Sequence, residues 1–508
     1  MLGPPKPRRL DEPIAVSLED LVPPDHFYRY LEARLDLDFV RDWVRDRYAD
    51  RGRPGIDPVV FFKLQLILFF EGIRSERQLI ETASLNLAHR WYLGYALDEP
   101  LPDHSSLTRI RERLGLPVFR RFFEHVVELC QHADLIRGRE LLVDATKVRG
   151  NAALDSLVPR LAEVVDGHLI PLFERRTEAE APKPVADGEV PRPLHPDAPA
   201  YEAMVDGNQG RRWDLLEECR LAPDRPLSPG YRRLSSSRIS RTDPDATPMT
   251  MADKRVALGY QTHYLVDGGK ARVILHALIT PADVMENQPL LDQLRRAIFR
   301  WKLRPERLIA DTTYGTIENI RDLEEQGIHA FVPLPNWEHK TAYYGPAKFT
   351  YDAERDVYVC PQGMLLHPCR REQKAEKTEY RADPSTCNAC PAKAACTPSD
   401  RGRQVHRSFH ADHLERVRGY HATEAYATAM RKRRVWLEPL FAEAKQWHGL
   451  ARFRLRGLPQ VNAEGLLVAA GQNLKRFLAT TGWGRRYAPC GSLVALPNEP
   501  GRLSTALS

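Results

Sequence analysis

The chain has 508 residues, 43% of them hydrophobic and 28% charged, with a formal net charge of +6. That length points to about two to four domains, and the composition is that of a globular protein able to bury a large core without disulfide staples. A membrane-spanning chain is excluded on the same grounds, because the most apolar run, Val59 to Phe70, is interrupted by Lys63 and Gln65 and is shorter than the roughly 20 residues a bilayer requires.

The first residues, MLGPPKPRRLDEP, lack an apolar signal core, so a cytoplasmic protein with reduced thiols is expected. Residues 1–24 read as an arm and 25–135 as a helical region. Val59 to Phe70 is apolar nearly all round, as in a buried helix. Ser75-Glu-Arg-Gln78 has the form of a capping box, followed by Leu79, Ala83 and Leu87 at helical spacing. Pro102 to Ser106 is a turn and cap before Leu107, Ile110 and Leu114, and Phe119, Phe122, Phe123, Val126 and Val127 form the stripe of a further helix. Short capped helices with tight turns suit a helix-turn-helix DNA-binding unit or a plain helical bundle. The basic residues Arg109, Arg111 and Arg113 favour the DNA-binding reading.

Past Glu140 the pattern turns to strands. Leu141 to Val143 is a short apolar run ending in Asp144. Gln261 to Asp267 and Arg272 to Thr280 are strand-like and joined by Asp267-Gly-Gly-Lys270, a hairpin signal. Leu290 to Trp301 reads as a helix, Arg307 to Ala310 as a strand ending in Asp311, and His329 to Leu334 as another strand. The expected fold is an α/β core over residues 136–335 and 426–480. A proline-rich, charged insertion at about 150–245 and a cysteine-rich one at 336–425 interrupt it, and 481–508 is a tail.

Asp144 and Asp311 share a setting: each follows a short apolar strand and precedes a threonine and a polar turn, LLVDATKVRG and RLIADTTYG. Strand-end aspartates are common turn formers. Two of them on adjacent strands can also converge, and paired carboxylates repel unless a cation lies between; oxygen ligands of this kind suit Mg2+ or Mn2+. A third acid lies in RKRRVWLEPLFAEAKQWHG. At about 100° per helical residue, Glu438 and Lys445 fall about 40° and about 20° from Arg434, and Arg431 about 60°. Pro439 follows Glu438 and disfavours a continuous helix there, so Glu438 should sit at a restarted helix N-terminus, where the dipole favours a carboxylate. From Arg401 to Arg456, thirteen Lys and Arg face five Asp and Glu. This excess of positive charge is either a solvated helix face or a phosphate-binding surface.

This set resembles the DDE transposases of bacterial insertion sequences. Their signature Tyr-x2-Arg-x3-Glu-x6-Lys is matched by Arg434, Glu438 and Lys445, with Arg431 in the tyrosine position. The stretches VDATKVRGNA, TDPDA, YQTHYLVD, ADTTYG and RFRLRGLPQV, and WLEPLF in place of VEPxF, are similar to one branch of the family. GIDPVVFFKLQLILFFEGIRSERQLIE and PDHSSLTRIRERL are similar to that branch's helical N-terminal domain, and the likeness covers roughly residues 50–480.

The resemblance implies an RNase H-like core and a metal-dependent phosphoryl-transfer site held by Asp144, Asp311 and Glu438 with two Mg2+ or Mn2+ ions. It implies accessory phosphate contacts from Arg434, Lys445 and Arg431. The basic Arg401–Arg456 segment around Glu438 is expected to add further DNA contacts from Arg433 and Arg452. The implied partners are inverted-repeat ends and target DNA, bound by a homodimer. Two other readings stay open: a catalytically silent DNA-binding protein, and a nuclease that cuts without joining.

Five of the eight cysteines lie in the 336–425 insertion. Cys360, Cys387, Cys390 and Cys396 are spaced to form a structural four-thiolate zinc site or to remain unligated thiols, with His367, Cys369, His406 and His410 as spare ligands. Cys130, Cys219 and Cys490 stand alone.

Overall fold

A computed structural model of the chain describes residues 15–48, 55–159, 238–335, 342–373 and 375–483. The helical region comprises α1 (Leu18–Leu21), α2 (Phe27–Arg34), α3 (Phe39–Val44), α4 (Pro58–Phe70), α5 (Glu76–Leu85), α6 (Leu87–Leu93) and α7 (His104–His132). The capping serine is in place, Ser75 accepting from the Gln78 amide. Leu87 does not extend α5. Asn86 ends that helix and caps α6 through the His89 amide, because a short Asn side chain competes with the helical backbone for hydrogen bonds. Within α7, Gly115 has φ 63° and ψ 166°, a geometry only glycine adopts cheaply, and Pro117 begins a second helical segment two residues on. The expected arm is partly folded, since Val22 is buried.

The strands of the main sheet are β1 (Glu140–Arg149), β4 (Thr247–Thr250), β5 (Val256–Asp267), β6 (Ile274–Pro281), β7 (Arg307–Ile309) and β8 (His329–Phe331), while β2 (Leu157–Pro159) and β3 (Arg238–Ser240) form a separate ribbon. Central β1 pairs antiparallel with β5 and parallel with β7; β7 is parallel to β8, and β6 and β4 share the outer edge of β5. Successive residues of β5 and β6 are buried, which requires cover on both faces, since neighbouring strand side chains point opposite ways. Strand β1 runs past Asp144 rather than ending there, because β5 continues to pair with it as far as Arg149. Pairing with β7 stops at Leu142. Helices α8 (Leu290–Trp301) and α9 (Ile317–Glu325) connect β6 to β7 and β7 to β8.

The cysteine-rich insertion is an antiparallel five-stranded sheet of β9 (Thr350–Asp352), β10 (Val357–Val359), β11 (Leu365–Glu372), β12 (Lys377–Ala382) and β13 (Gln404–Ser408), with short helices α10 (Pro384–Asn388) and α11 (Lys393–Cys396). It ends earlier than expected. Helix α12 (Ala411–His421) already packs on the core, Tyr420 donating to Glu324 and His421 bonding the Val332 carbonyl. Then come α13 (Glu424–Trp436), α14 (Glu438–Trp447) and α15 (Leu458–Thr480). Most of the expected proline-rich insertion, residues 160–237, lies outside the described residues, as does 484–508 of the tail.

Helix α15 joins the two halves. Its Asn473 and Asn462 each bond both backbone groups of one residue on the outer strand β6: Ile274 at 2.8 Å for both bonds, and Ile279 at 2.9 Å for both. Eleven helical residues and five strand residues both span roughly 16.5 Å, so the spacings match. A register irregularity opposite Leu265 and Val266 lets residues an odd number apart present their backbone to the same edge. The other side of α15 meets the helical region: Cys130 of α7 bonds the Asn473 carbonyl, and a side chain at Gly471 would fall 2.6 Å from the Phe69 ring. One hydrophobic core therefore runs from the N-terminal helices through the sheet. The TDPDA segment caps α15, with Asp243 accepting from the Gly457 amide and Asp245 from the Leu458 amide. No described helix is long and apolar enough to cross a membrane.

Replacing Asn473 by Ala leaves two buried backbone groups of Ile274 unpartnered, an expected loss of about 2–4 kcal/mol. Urea unfolding monitored by circular dichroism measures it, and a loss under about 0.5 kcal/mol, the size of an ordinary surface change, would mean that this edge is not held by α15.

Candidate active site

The fold brings Asp144 and Asp311 together at the point where β1 and β7 stop pairing. Asp144 is buried, accepting from the Ala145 amide at 2.9 Å. Asp311 caps the turn after β7 through the Thr313 amide, also 2.9 Å. A third acid joins them from the loop after β6. Ligand oxygens of Asp144, Glu286 and Asp311 all lie within 4.8 Å of one another, and among the described residues no other group of three metal-capable side chains is that close. Glu286 carries no sequence signal. It lies in PADVMENQP, without periodicity or a recognised spacing, and only the path of the chain after β6 delivers it.

One guanidinium offsets part of this charge. Arg433 of α13 reaches Asp144 at 2.8 Å and Asp311 at 3.7 Å, and its Nε is buried without a hydrogen-bond partner. Arg433 is therefore not an outward phosphate contact in this structure. Ala429, Arg433 and Leu437 lie four residues apart along the inner stripe of α13, with Ala429 and Leu437 buried. Arg431 and Arg434 point outward and are exposed.

Burial pushes the Asp144 carboxyl up to about 6, against the pull of Arg433 and helped by Asp311. Glu286 is also raised, first by burial and then by Asp311 and Asp144. Tyr314 is buried with its hydroxyl unpartnered, near enough to all three acids to feel their charge. The chemistry of the donor set fits a hard divalent cation: oxygen ligands only, more negative charge than one arginine offsets, and a buried polar group lacking a partner.

Glu438 is the first residue of α14 and is exposed, as expected from Pro439, which has no amide hydrogen to continue the ladder. It does not join the three-acid group. Lys445, two turns on along the same face, donates to Thr146 of β1 at 2.6 Å, and its ammonium is lowered by burial. The other acid of α14, Glu443, is taken up by His448, Lys475 and Arg476, which hold it well below the usual range despite burial.

Of the other expected DNA contacts, Arg111 is buried and paired with Glu76. It shares the inward stripe of Leu107 and Leu114 and is not a surface contact. Arg109 is exposed, and Arg113 is exposed with its guanidinium 4.9 Å from the Tyr48 ring centre. Arg452 is exposed and bonds Asn151. Cys360, Cys387, Cys390 and Cys396 line one pocket with His367, and no described cysteine forms a disulfide. Their sulfurs stand farther apart than the carboxylate group. Of the spare ligands, Cys369 faces Glu379, His410 pairs with Glu376, and His406 neighbours Gln404. Cys130 is buried; Cys219 and Cys490 lie outside the described residues.

Two segments of the chain match known family models. Residues 16–113 match the model of a transposase domain (DUF772), and residues 359–478 match that of a transposase DDE domain. The two matches support a DDE transposase of insertion-sequence type, and such domains imply DNA binding and use of a divalent metal. The second match includes Glu438 and Lys445, whereas Asp144, Glu286 and Asp311 fall between the two. No curated protein and no solved structure matches the chain significantly.

A raised carboxyl is disfavoured as an anion in the folded protein. Asp144 therefore weighs against stability above about pH 6, and that weight lifts as pH falls toward the ordinary value. A divalent cation needs the anion. The rise in thermal midpoint on adding Mn2+ should be full at pH 8 and shrink as pH drops below about 6. A rise that persisted unchanged at pH 5 would contradict this electrostatic description.

Proposed function

We propose that this chain is a transposase that cuts and joins DNA at the ends of an insertion sequence in cut-and-paste fashion, on an RNase H-like core. The observation that carries the reading is the convergence of Asp144 and Asp311 from adjacent strands onto one guanidinium. The strand order, with β1 between antiparallel β5 and parallel β7, supports the choice of core.

Asp144, Asp311 and Glu438 would hold two Mg2+ or Mn2+ ions, with Asp144 shared. Such ions supply activation of the attacking oxygen, from water in cleavage and a DNA 3′-OH in joining, and stabilise the leaving oxygen. The chain's own residues position the DNA. Lys445 is held on Thr146, two residues along β1 from Asp144, and would offer its ammonium to a phosphate. Arg434 and Arg431 extend the positive surface outward, and Arg452 continues it. The helical region supplies end recognition through Arg109 and Arg113. A homodimer in the cytoplasm would hold two inverted-repeat ends and the target.

Alanine at Asp144, Asp311 or Glu438 should lower cleavage of inverted-repeat DNA by on the order of a thousandfold or more, with end binding retained in a gel-shift assay. Cleavage surviving in the Asp311→Ala protein would rule out the site.

The cysteine pocket is assigned in the same reading to one structural Zn2+ held by Cys360, Cys387, Cys390 and Cys396. Burial and the neighbouring thiols raise Cys396, a cost that zinc ligation removes. Elemental analysis of protein purified without chelator should find one zinc per chain, lost in the Cys387→Ser, Cys390→Ser double variant. Absence of zinc from the wild-type protein would leave these as packing thiols.

A further inference from the structure

The third acid of the cluster has no role in the triad just proposed. Its loop is fixed at both ends. Gln261 donates to the carbonyls of Ala282 and Val284, Thr247 and Asp283 bond each other, and Asn319 bonds the Asn287 carbonyl. Between these anchors Glu286 is held half-buried against Asp144 and Asp311. Arg433 reaches the two aspartates at 2.8 and 3.7 Å and Lys147 also acts on Glu286, so two cations face three carboxylates. A protein with no use for this acid gains nothing by burying it beside two others.

A second observation points to a ligand. Tyr314, three residues after Asp311 in the turn that Asp311 caps, is only 1% exposed, its hydroxyl has no partner, and it lies near enough to the same three acids to feel their charge. A buried hydroxyl left unpaired is costly; a water of a hydrated cation would satisfy it, since Mg2+ keeps several of its waters. Glu438, by contrast, stands exposed at the start of α14, outside the group.

We infer that Glu286 is a ligand of the resident divalent cation, forming with Asp144 and Asp311 a site assembled before DNA arrives, and that Glu438 completes the centre only with DNA in place. This rests on the proposed reading of the cluster as a metal centre. Arg433, on Asp144 at 2.8 Å, would have to leave that carboxylate for an ion to be held there, and the unpartnered Tyr314 hydroxyl would be free to bond a water of the ion.

Mn2+ binding to the full-length protein without DNA, followed by the electron paramagnetic resonance signal of free Mn2+, tests the inference. Glu286→Gln should weaken the first Mn2+ at least tenfold, Glu286→Asp should fall between that variant and the wild type, and Glu438→Gln should bind as the wild type does. Circular dichroism identifies any variant that fails to fold, in which case Glu286→Asp carries the test. Wild-type affinity in both Glu286 variants, with affinity lost in Asp144→Asn, would overturn the role of Glu286 and leave the proposed metal centre standing. Wild-type affinity in Asp144→Asn as well would remove the metal centre and this inference together.

Discussion

Three carboxylates gathered in a half-buried recess repel one another, and the rest of the structure is arranged to hold them there. Coulomb repulsion between unit charges about 5 Å apart is roughly 3 kcal/mol at an effective dielectric near 20, and burial adds to it. Left to themselves the side chains would turn outward. The backbone denies them that choice: Asp144 lies within a strand paired along its whole length with β5, Asp311 is tied as a turn cap, and Glu286 is on a loop anchored at both ends. Arg433 offsets part of the repulsion at the expense of its own buried, unpaired Nε. A cation of the kind proposed would relieve this repulsion.

Rigidity comes from the long helix α15. It takes the place of a neighbouring strand along β6, gives its other side to α7 and α4, and receives its N-terminal cap from the acids that follow the 160–237 segment. The N-terminal helices share the core of the sheet. Arg111, Glu76, Arg454 and Glu464 form a chain of ion pairs between α5, α7 and the segment that leads into α15. Phe69 of α4 stacks on His448, at the end of the helix that carries Lys445, with ring centres 3.8 Å apart. DNA held by the helical region would therefore be held in fixed register to the acids.

Much of this was legible in the sequence because it is written in local terms. The apolar period placed α4, α7 and α8, the capping serine placed α5, and two apolar runs ending in aspartate placed β1 and β7. Pro439 foretold the restart of α14. What was not legible depends on long-range placement. Glu286 reaches the site only because β6 is antiparallel to β5 and its exit loop crosses the end of the sheet. Arg433 and Arg111 were read as surface charges since a basic run does not say which member faces inward. In both cases the i, i+4 neighbours, Ala429 and Leu437 or Leu107, carried the missing signal. The continuation of β1 beyond Asp144 was hidden because its pairing partner lies more than a hundred residues away.

On the proposed reading, the recess between β1 and β7 is a cation-dependent phosphoryl-transfer centre in which Arg433 occupies the place of the ion. Crystals of the protein grown with Mn2+, with data collected at a wavelength where manganese scatters anomalously, address it directly. An anomalous peak in contact with Asp144 and Asp311 is expected, with the Arg433 guanidinium moved off Asp144. Saturating Mn2+ that left no peak there, with Arg433 still bonded to both aspartates, would contradict it.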